Sequence, residues 1–159
     1  FFREWFKTEE INKATGRDFN VEQANISSST KGTLRGIHYS LAPRGQAKWV
    51  TCVSGAIKDV IVDIRPESPT FGKWEGFELS AKNYYMLFVP RGFAHGFVVL
   101  SETATFFYKC DNFYNKESEG GLIYNDETIN IDWNFPVQDL IISDKDKVLP
   151  NLQNAKKVW

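Results

Sequence analysis

Two histidines are the whole imidazole supply of this chain. His38 follows an Arg-Gly pair in LRGIHYS, and His95 closes the spacing Pro90-x-Gly92-x-x-His95 in VPRGFAHGFVVL. Histidine titrates nearest neutrality, so His38 is open to three readings: a base, a metal ligand or a hydrogen-bonded core residue. On a regular strand Arg35 and His38 face opposite ways, because their separation is odd. Gly36 between them permits a bulge that re-aims one side chain. Lys48 shares a face with Val50 and Cys52 on the next strand-like run. Converged in one pocket, Arg35, His38 and Lys48 would form a cationic site for an anionic ligand and for an oxyanion formed during reaction. Taken by themselves they favour a plainer reading, in which the charges are solvated and the imidazole is a bonded core residue.

Two further groups belong to this inventory. TATFFYKC puts Phe106, Tyr108 and Cys110 on one strand face and Phe107 and Lys109 on the other. Tyr108 thus offers a phenol to an interior, where such a group is more often packed than acidic. SDKD supplies Lys145 and Asp146 late in the chain, in what reads as a charged turn. The Pro-x-Gly-x-x-His spacing fixes a tight turn ahead of His95, and it resembles the second motif of the cupin jelly rolls.

Several chemistries are missing. No GxxxxGK[ST] or post-strand GxGxxG cradles phosphate, and neither HExxH nor CxxC occurs. Two histidines cannot make a three-histidine metal site, and no second His lies two positions from His38, where Gly36 and Ser40 stand. A two-His-one-carboxylate site stays formally open, but metal is disfavoured. With 19 basic and 20 acidic residues the net charge is −1, which gives no electrostatic footprint for nucleic acid or an anionic membrane. Cys52 and Cys110 are too few for a disulfide framework and read as free thiols in a reducing cytoplasm. No apolar run reaches membrane-spanning length and no signal-peptide pattern opens the chain. The first residue is Phe rather than Met, so natural residues are expected to precede it.

The elements that must position these residues are strands. At 159 residues the chain is expected to form one domain, spanning 1–159. Aromatics reach 15%, which suits half-buried pleated surfaces. The opening FFREWFKTEEINKATG predicts a short helix ending near Gly16. QAKWVTCVSGAIKDVIVDIRP reads as two strands meeting near Ser54-Gly55, the second alternating Val60, Val62 and Ile64 with Asp59, Ile61 and Asp63. PESPTFGKWEG is a turn-rich loop. FELS, NYYMLFVP, GFVVL and TATFFYKC follow as short strands separated by turn residues, and the tail holds a short helical turn. An all-β sandwich, jelly roll or barrel is expected, with short flanking helices.

GTLRGIHYS, QAKWV, DIRPESPTFGKWEGFELSAKN, PRGFAHGFVVLSETATFFYKC, DWNFP and ISDKD, in that order and spacing, resemble the dTDP-4-dehydrorhamnose 3,5-epimerase family. The resemblance runs from Phe1 to about Pro150 and overturns the plainer reading of His38. It implies a cupin-type jelly roll, a homodimer, working without metal or organic cofactor on a dTDP-linked 4-keto-6-deoxyhexose in deoxysugar (rhamnose-type) biosynthesis. By resemblance, His38 is the base beside the keto group, Asp146 its carboxylate partner, Lys48 the stabiliser of the enolate oxygen and Tyr108 the acid. Gln23, Asn25, Arg35, His95, Glu119 and Lys145 match ligand-contacting positions. Glu4 matches a nucleotide-contacting residue, and Tyr114 falls in the substrate pocket.

The chemistry is consistent with those roles. Deprotonation next to a ketone puts charge on oxygen, which a fixed ammonium stabilises without reorganisation. An imidazole oriented by a carboxylate has a pKa suited to the task. Asp132 and Asp144 compete for the carboxylate role, with the spacing of SDKD favouring Asp146. The chain departs from the family at Ser40, usually Gln, and at Asn112, Phe113 and Tyr114, where an Asp-Tyr-Tyr-like run is usual. An Arg expected about two positions before Phe1 is absent. The changes near Tyr114 touch the region that would separate double epimerases from relatives acting at C3 or C5 alone. Besides that single-centre epimerase, the alternatives are a non-catalytic sugar-binding jelly roll and a metal-dependent cupin.

Overall fold

Apolar and aromatic runs punctuated by Gly, Pro, Asn and Ser form ten strands in the computed structural model, which describes residues 1–158. A helix, α1 (Thr8–Thr15), comes first and ends at Gly16 as expected, with Glu9 and Glu10 in its first turn and Lys13 in its last, matching the helix dipole. The strands follow: β1 (Gln23–Thr30), β2 (Thr33–Ser40), β3 (Lys48–Ser54), β4 (Ala56–Asp63), β5 (Trp74–Ser80), β6 (Met86–Val89), β7 (Phe93–Val99), β8 (Thr103–Cys110), β9 (Glu119–Gly121) and β10 (Ile141–Ile142). A short helix, α2 (Asp144–Lys147), supplies the expected helical turn in the tail. The turn between β3 and β4 falls at Gly55, whose φ of 78° favours glycine and where a Cβ would meet the carbonyl oxygen of Thr103.

The strands make two sheets, ordered β1-β8-β3-β6 and β10-β2-β7-β4-β5, with β9 on the β10 side of β2. All pairings are antiparallel except β10 with β2. This is the cupin-type jelly roll. Its core lies in three layers. Val50, Cys52, Ala104 and Phe106 of the first sheet meet Ile57, Phe97 and Val99 of the second between the sheets. Phe19, Trp49 and Ile11 pack on the outside of the first sheet, under α1. Leu34, Ile37, Val60, Val62, Ala94 and Val98 pack outside the second sheet, beneath Leu122, Ile129, Trp133 and Val158. Each such fully buried aliphatic side chain contributes about 1.5–3 kcal/mol.

That third layer changes the meaning of the alternation in β4. The expected apolar face, Val60 and Val62, does not meet the other sheet; it is covered by the C-terminal segment. The face that reads as polar, with Asp59 and Ile61, points between the sheets. Asp59 is 0% exposed and Asp63 2%. Asp63 is satisfied locally: its carboxylate accepts from Arg65 (2.8 and 2.6 Å), Ser68 and Thr70, closing the 63–73 loop. The turn-rich reading of that loop ends earlier than expected, because β5 already begins at Trp74.

Candidate active site

Between the two sheets, at the end bounded by β1, β8 and β10, lies a cavity of about 650 Å³. Gly36 is the reason its walls carry the right residues. The β2–β7 register shifts between Arg35 and His38, and Gly36 has φ 114°, open to glycine and costly for other residues. A Cβ at this position would lie 2.7 Å from the carbonyl oxygen of His95 and 2.8 Å from Cα of Gly96. The bulge lets Leu34 and Ile37 pack outward while Arg35 and His38, despite their odd separation, both reach the cavity.

His38 Nε2 lies 2.7 Å from Asp146 Oδ1. Assigned as a donor there, it leaves Nδ1 with the free lone pair. Asp146 comes from 108 residues away and is held by three local devices. β10 adds to β2 in parallel at Thr33 and Leu34, Ser143 caps α2 by accepting from the Asp146 amide, and the amide of Gly36 donates to Oδ2 at 3.3 Å. Burial would raise the Asp146 carboxyl, but the hydrogen bond and charge of His38, with the Gly36 and Ser143 contacts, outweigh it and hold it below the ordinary value. The competing carboxylates are elsewhere: Asp144 is exposed and pairs with Lys147, and Asp132 accepts from the amide of Asn134.

Lys48 and Tyr108 stand on the opposite sheet. The Lys48 ammonium lies 5.8 Å from the Tyr108 ring centre, and among the described residues it has no salt-bridge or hydrogen-bond partner. Desolvation lowers its pKa, partly offset by Cys110, Asp59 and Glu119. Its strand neighbour Cys110 does not neutralise it, since burial pushes that thiol up to about 11. Burial likewise raises the Tyr108 phenol, so it stays protonated at neutral pH. Phe97, Phe106 and Ile142 supply apolar wall between these polar groups.

Of the other predicted residues, Asn25, Arg35, His95 and Lys145 line the same cavity. Glu119 and Tyr114 lie at an adjoining pocket shared with His38 and Lys145. One Glu119 oxygen accepts from both Lys145 (2.7 Å) and the Tyr114 hydroxyl (3.0 Å). Gln23 braces this edge, donating to Asn25 at 3.0 Å and accepting from the Tyr114 amide at 2.8 Å. Glu4 is placed outside this cavity. Trp5 and Phe6 pin the N-terminal segment to the outer face of the first sheet, against Phe107 and the ammonium of Lys109, and Glu4 pairs with Lys7 at 2.6 Å away from the cavity. Sequence reasoning missed Asp59, whose two oxygens lie 3.0 and 2.9 Å from Nε2 of His95. Only the placement of His95 and Asp59 on adjacent strands could have exposed that pair.

A jelly roll with a histidine on one sheet held by a carboxylate from α2, and a lysine amine and a protonated phenol on the other sheet, defines a class: an isomerase built for proton transfer at carbon next to a carbonyl. The sequence model of the dTDP-4-dehydrorhamnose 3,5-epimerase family matches residues 1–154, and the chain belongs to that family. A dTDP-4-dehydrorhamnose 3,5-epimerase from Shigella flexneri is 53% identical over 146 residues, covering 92% of this chain and 80% of the relative. The crystal structure of the Elizabethkingia anophelis enzyme superposes with a TM-score of 0.94 at 50% identity, over 99% of this chain and 85% of that one. The Legionella pneumophila dTDP-6-deoxy-D-glucose-3,5-epimerase, solved in complex with dTDP-4-keto-L-rhamnose, gives 0.91 at 41% identity over 97% and 80%.

Proposed function

We propose that this chain inverts C3 and C5 of dTDP-4-keto-6-deoxyglucose by removing and returning a proton on either side of the C4 ketone. One observation carries the reading: base and acid project from facing sheets across one cavity, with the Lys48 ammonium beside the phenol. His38 Nδ1 takes the proton from carbon, and the C–H electron pair moves onto the keto oxygen as an enolate. Lys48 stabilises that oxygen. Tyr108 then delivers its hydroxyl proton to the opposite face of the same carbon, which inverts the centre. The proton on His38 leaves to solvent and Tyr108 is reprotonated, which readies the site for the second carbon. Arg35 and Lys145 at the cavity edge suit the diphosphate, and Tyr114 and Asn25 suit the nucleoside. This chemistry asks nothing of a metal, because Lys48 is the electrophile.

The reading extends to assembly and place. Membership of the family carries the expected homodimer into this reading, and sedimentation of the purified protein would test it. Two buried free thiols suit a reducing cytoplasm, and among the described residues no helix is long and apolar enough to cross a membrane.

Proton NMR of dTDP-4-keto-6-deoxyglucose in heavy water tests the activity. With the protein present, deuterium should enter at both C3 and C5. Entry at one carbon alone would replace the reading with a single-centre epimerase. Binding of the nucleotide sugar with no exchange would make the chain a sugar-binding jelly roll.

A further inference from the structure

The His95–Asp59 pair has no part in the steps above, yet it is built at a cost. Asp59 lies on the inner face of β4 between Ile57 and Ile61, in the apolar layer that joins the sheets, and is fully buried. Desolvation raises its carboxyl against the opposing charge and hydrogen bond of His95 and the charge of Lys48. A carboxylate in such a layer is costly unless paired, and an apolar side chain of similar volume would pack at least as well. Packing therefore does not explain it.

Its partner does. His95 stands directly opposite His38 in the β2–β7 register and lines the same cavity, its ring stacked 5.9 Å from Phe106. The three side chains descend from cavity to core: His38 is 30% exposed, His95 8% and Asp59 0%. With Nε2 of His95 assigned as donor to the Asp59 oxygens at 3.0 and 2.9 Å, the nitrogen left for the cavity is Nδ1. For Nδ1 to donate to a substrate oxygen the ring must carry both protons, and the Asp59 carboxyl is the group set against Nε2.

We propose that Asp59 is a positioning residue: it fixes the His95 imidazole toward the keto oxygen and supplies its counter-charge, so that His95 joins Lys48 in holding the enolate. This deepens the epimerase reading and rests on it. Asp59 touches no substrate; it acts through His95.

The experiment measures solvent-deuterium incorporation into dTDP-4-keto-6-deoxyglucose by wild type, Asp59→Asn, His95→Asn and the double variant. Asp59→Asn keeps the shape and an acceptor but removes the charge. It should lower kcat about 100-fold, the scale expected when an electrostatic support of the transition state is lost, with KM nearly unchanged. In the His95→Asn background the same change should cost nothing more, because its only route to the reaction is gone. Wild-type kcat in Asp59→Asn, or losses that multiply in the double variant, would overturn the proposal. If Asp59→Asn does not fold, 15N–1H NMR of the wild-type imidazoles decides: His95 must carry its proton on Nε2, and an unprotonated Nε2 overturns it. No exchange by the wild type sinks the epimerase reading and this proposal together, whereas equal exchange by wild type and Asp59→Asn sinks this proposal alone.

Discussion

A desolvated lysine amine with no salt-bridge or hydrogen-bond partner among the described residues, set beside a neutral thiol and a neutral phenol, is an arrangement that folding alone disfavours. The proposed mechanism gives Lys48 a use for a charge that arrives later. Lys48→Met retains the length of the side chain and removes the desolvated charge. Its exchange rate should fall about 100-fold or more, while its thermal midpoint stays level or rises. A lowered midpoint with little loss of rate would show the ammonium to be structural. Tyr108 permits a sharper dissection. If His38 removes the proton and the phenol only returns one to the other face, Tyr108→Phe should still wash solvent deuterium into the sugar from the His38 side. Net inversion should drop by about 100-fold. NMR follows both quantities in one sample, and equal loss of exchange and inversion would deny Tyr108 the separate role of acid.

At the scale of elements, the site depends on one irregularity in β2. The odd spacing of Arg35 and His38 made a glycine bulge foreseeable, and that bulge is what brings both into the cavity. Gly36→Ala places a Cβ against the His95 carbonyl oxygen and Cα of Gly96, and at φ 114°. It should lower the midpoint markedly and abolish exchange even where circular dichroism still reports a folded sheet. Asp59 was illegible for the opposite reason. A period of two identifies the faces of a strand but not which face meets the other sheet. With the C-terminal segment covering Val60 and Val62, the polar-looking face turned inward. The 63–73 loop offers a test apart from the site. Burial raises the Asp63 carboxyl, but bonds from Arg65, Ser68 and Thr70 overcome this and hold it well below the carboxylate range. Its folded pKa is depressed, so its contribution to stability is complete above about pH 4 and is lost as the pH falls through the folded value. Urea midpoints between pH 7 and pH 3 should fall less steeply for Asp63→Asn than for wild type, with exchange at neutral pH unaltered by the substitution.

For the whole molecule, the question is how one segment, residues 122–158, can both complete the core and complete the site. It covers the outer face of the second sheet through Leu122, Ile129, Trp133 and Val158. It also delivers Asp146 to His38 around the edge of that sheet, by way of β10 and α2. The two jobs use different contacts. Trp133 is 4% exposed and anchored by its indole N–H on the Tyr124 carbonyl at 2.9 Å, whereas Asp146 is held by Ser143, Gly36 and His38. Cover and delivery should therefore separate under mutation. Trp133→Ala opens a cavity in the outer layer and should cost about 3–5 kcal/mol, yet well below its lowered midpoint each folded molecule should turn over within about threefold of wild type. Asp146→Asn should shift the midpoint far less and lower the exchange rate about 100-fold, because the imidazole loses the carboxylate that orients it. Calorimetry paired with the deuterium assay reads both axes. If Trp133→Ala loses rate while still fully folded, the outer layer is aiming Asp146 as well as covering the sheet, and β10 with α2 is not the independent clamp that its contacts describe.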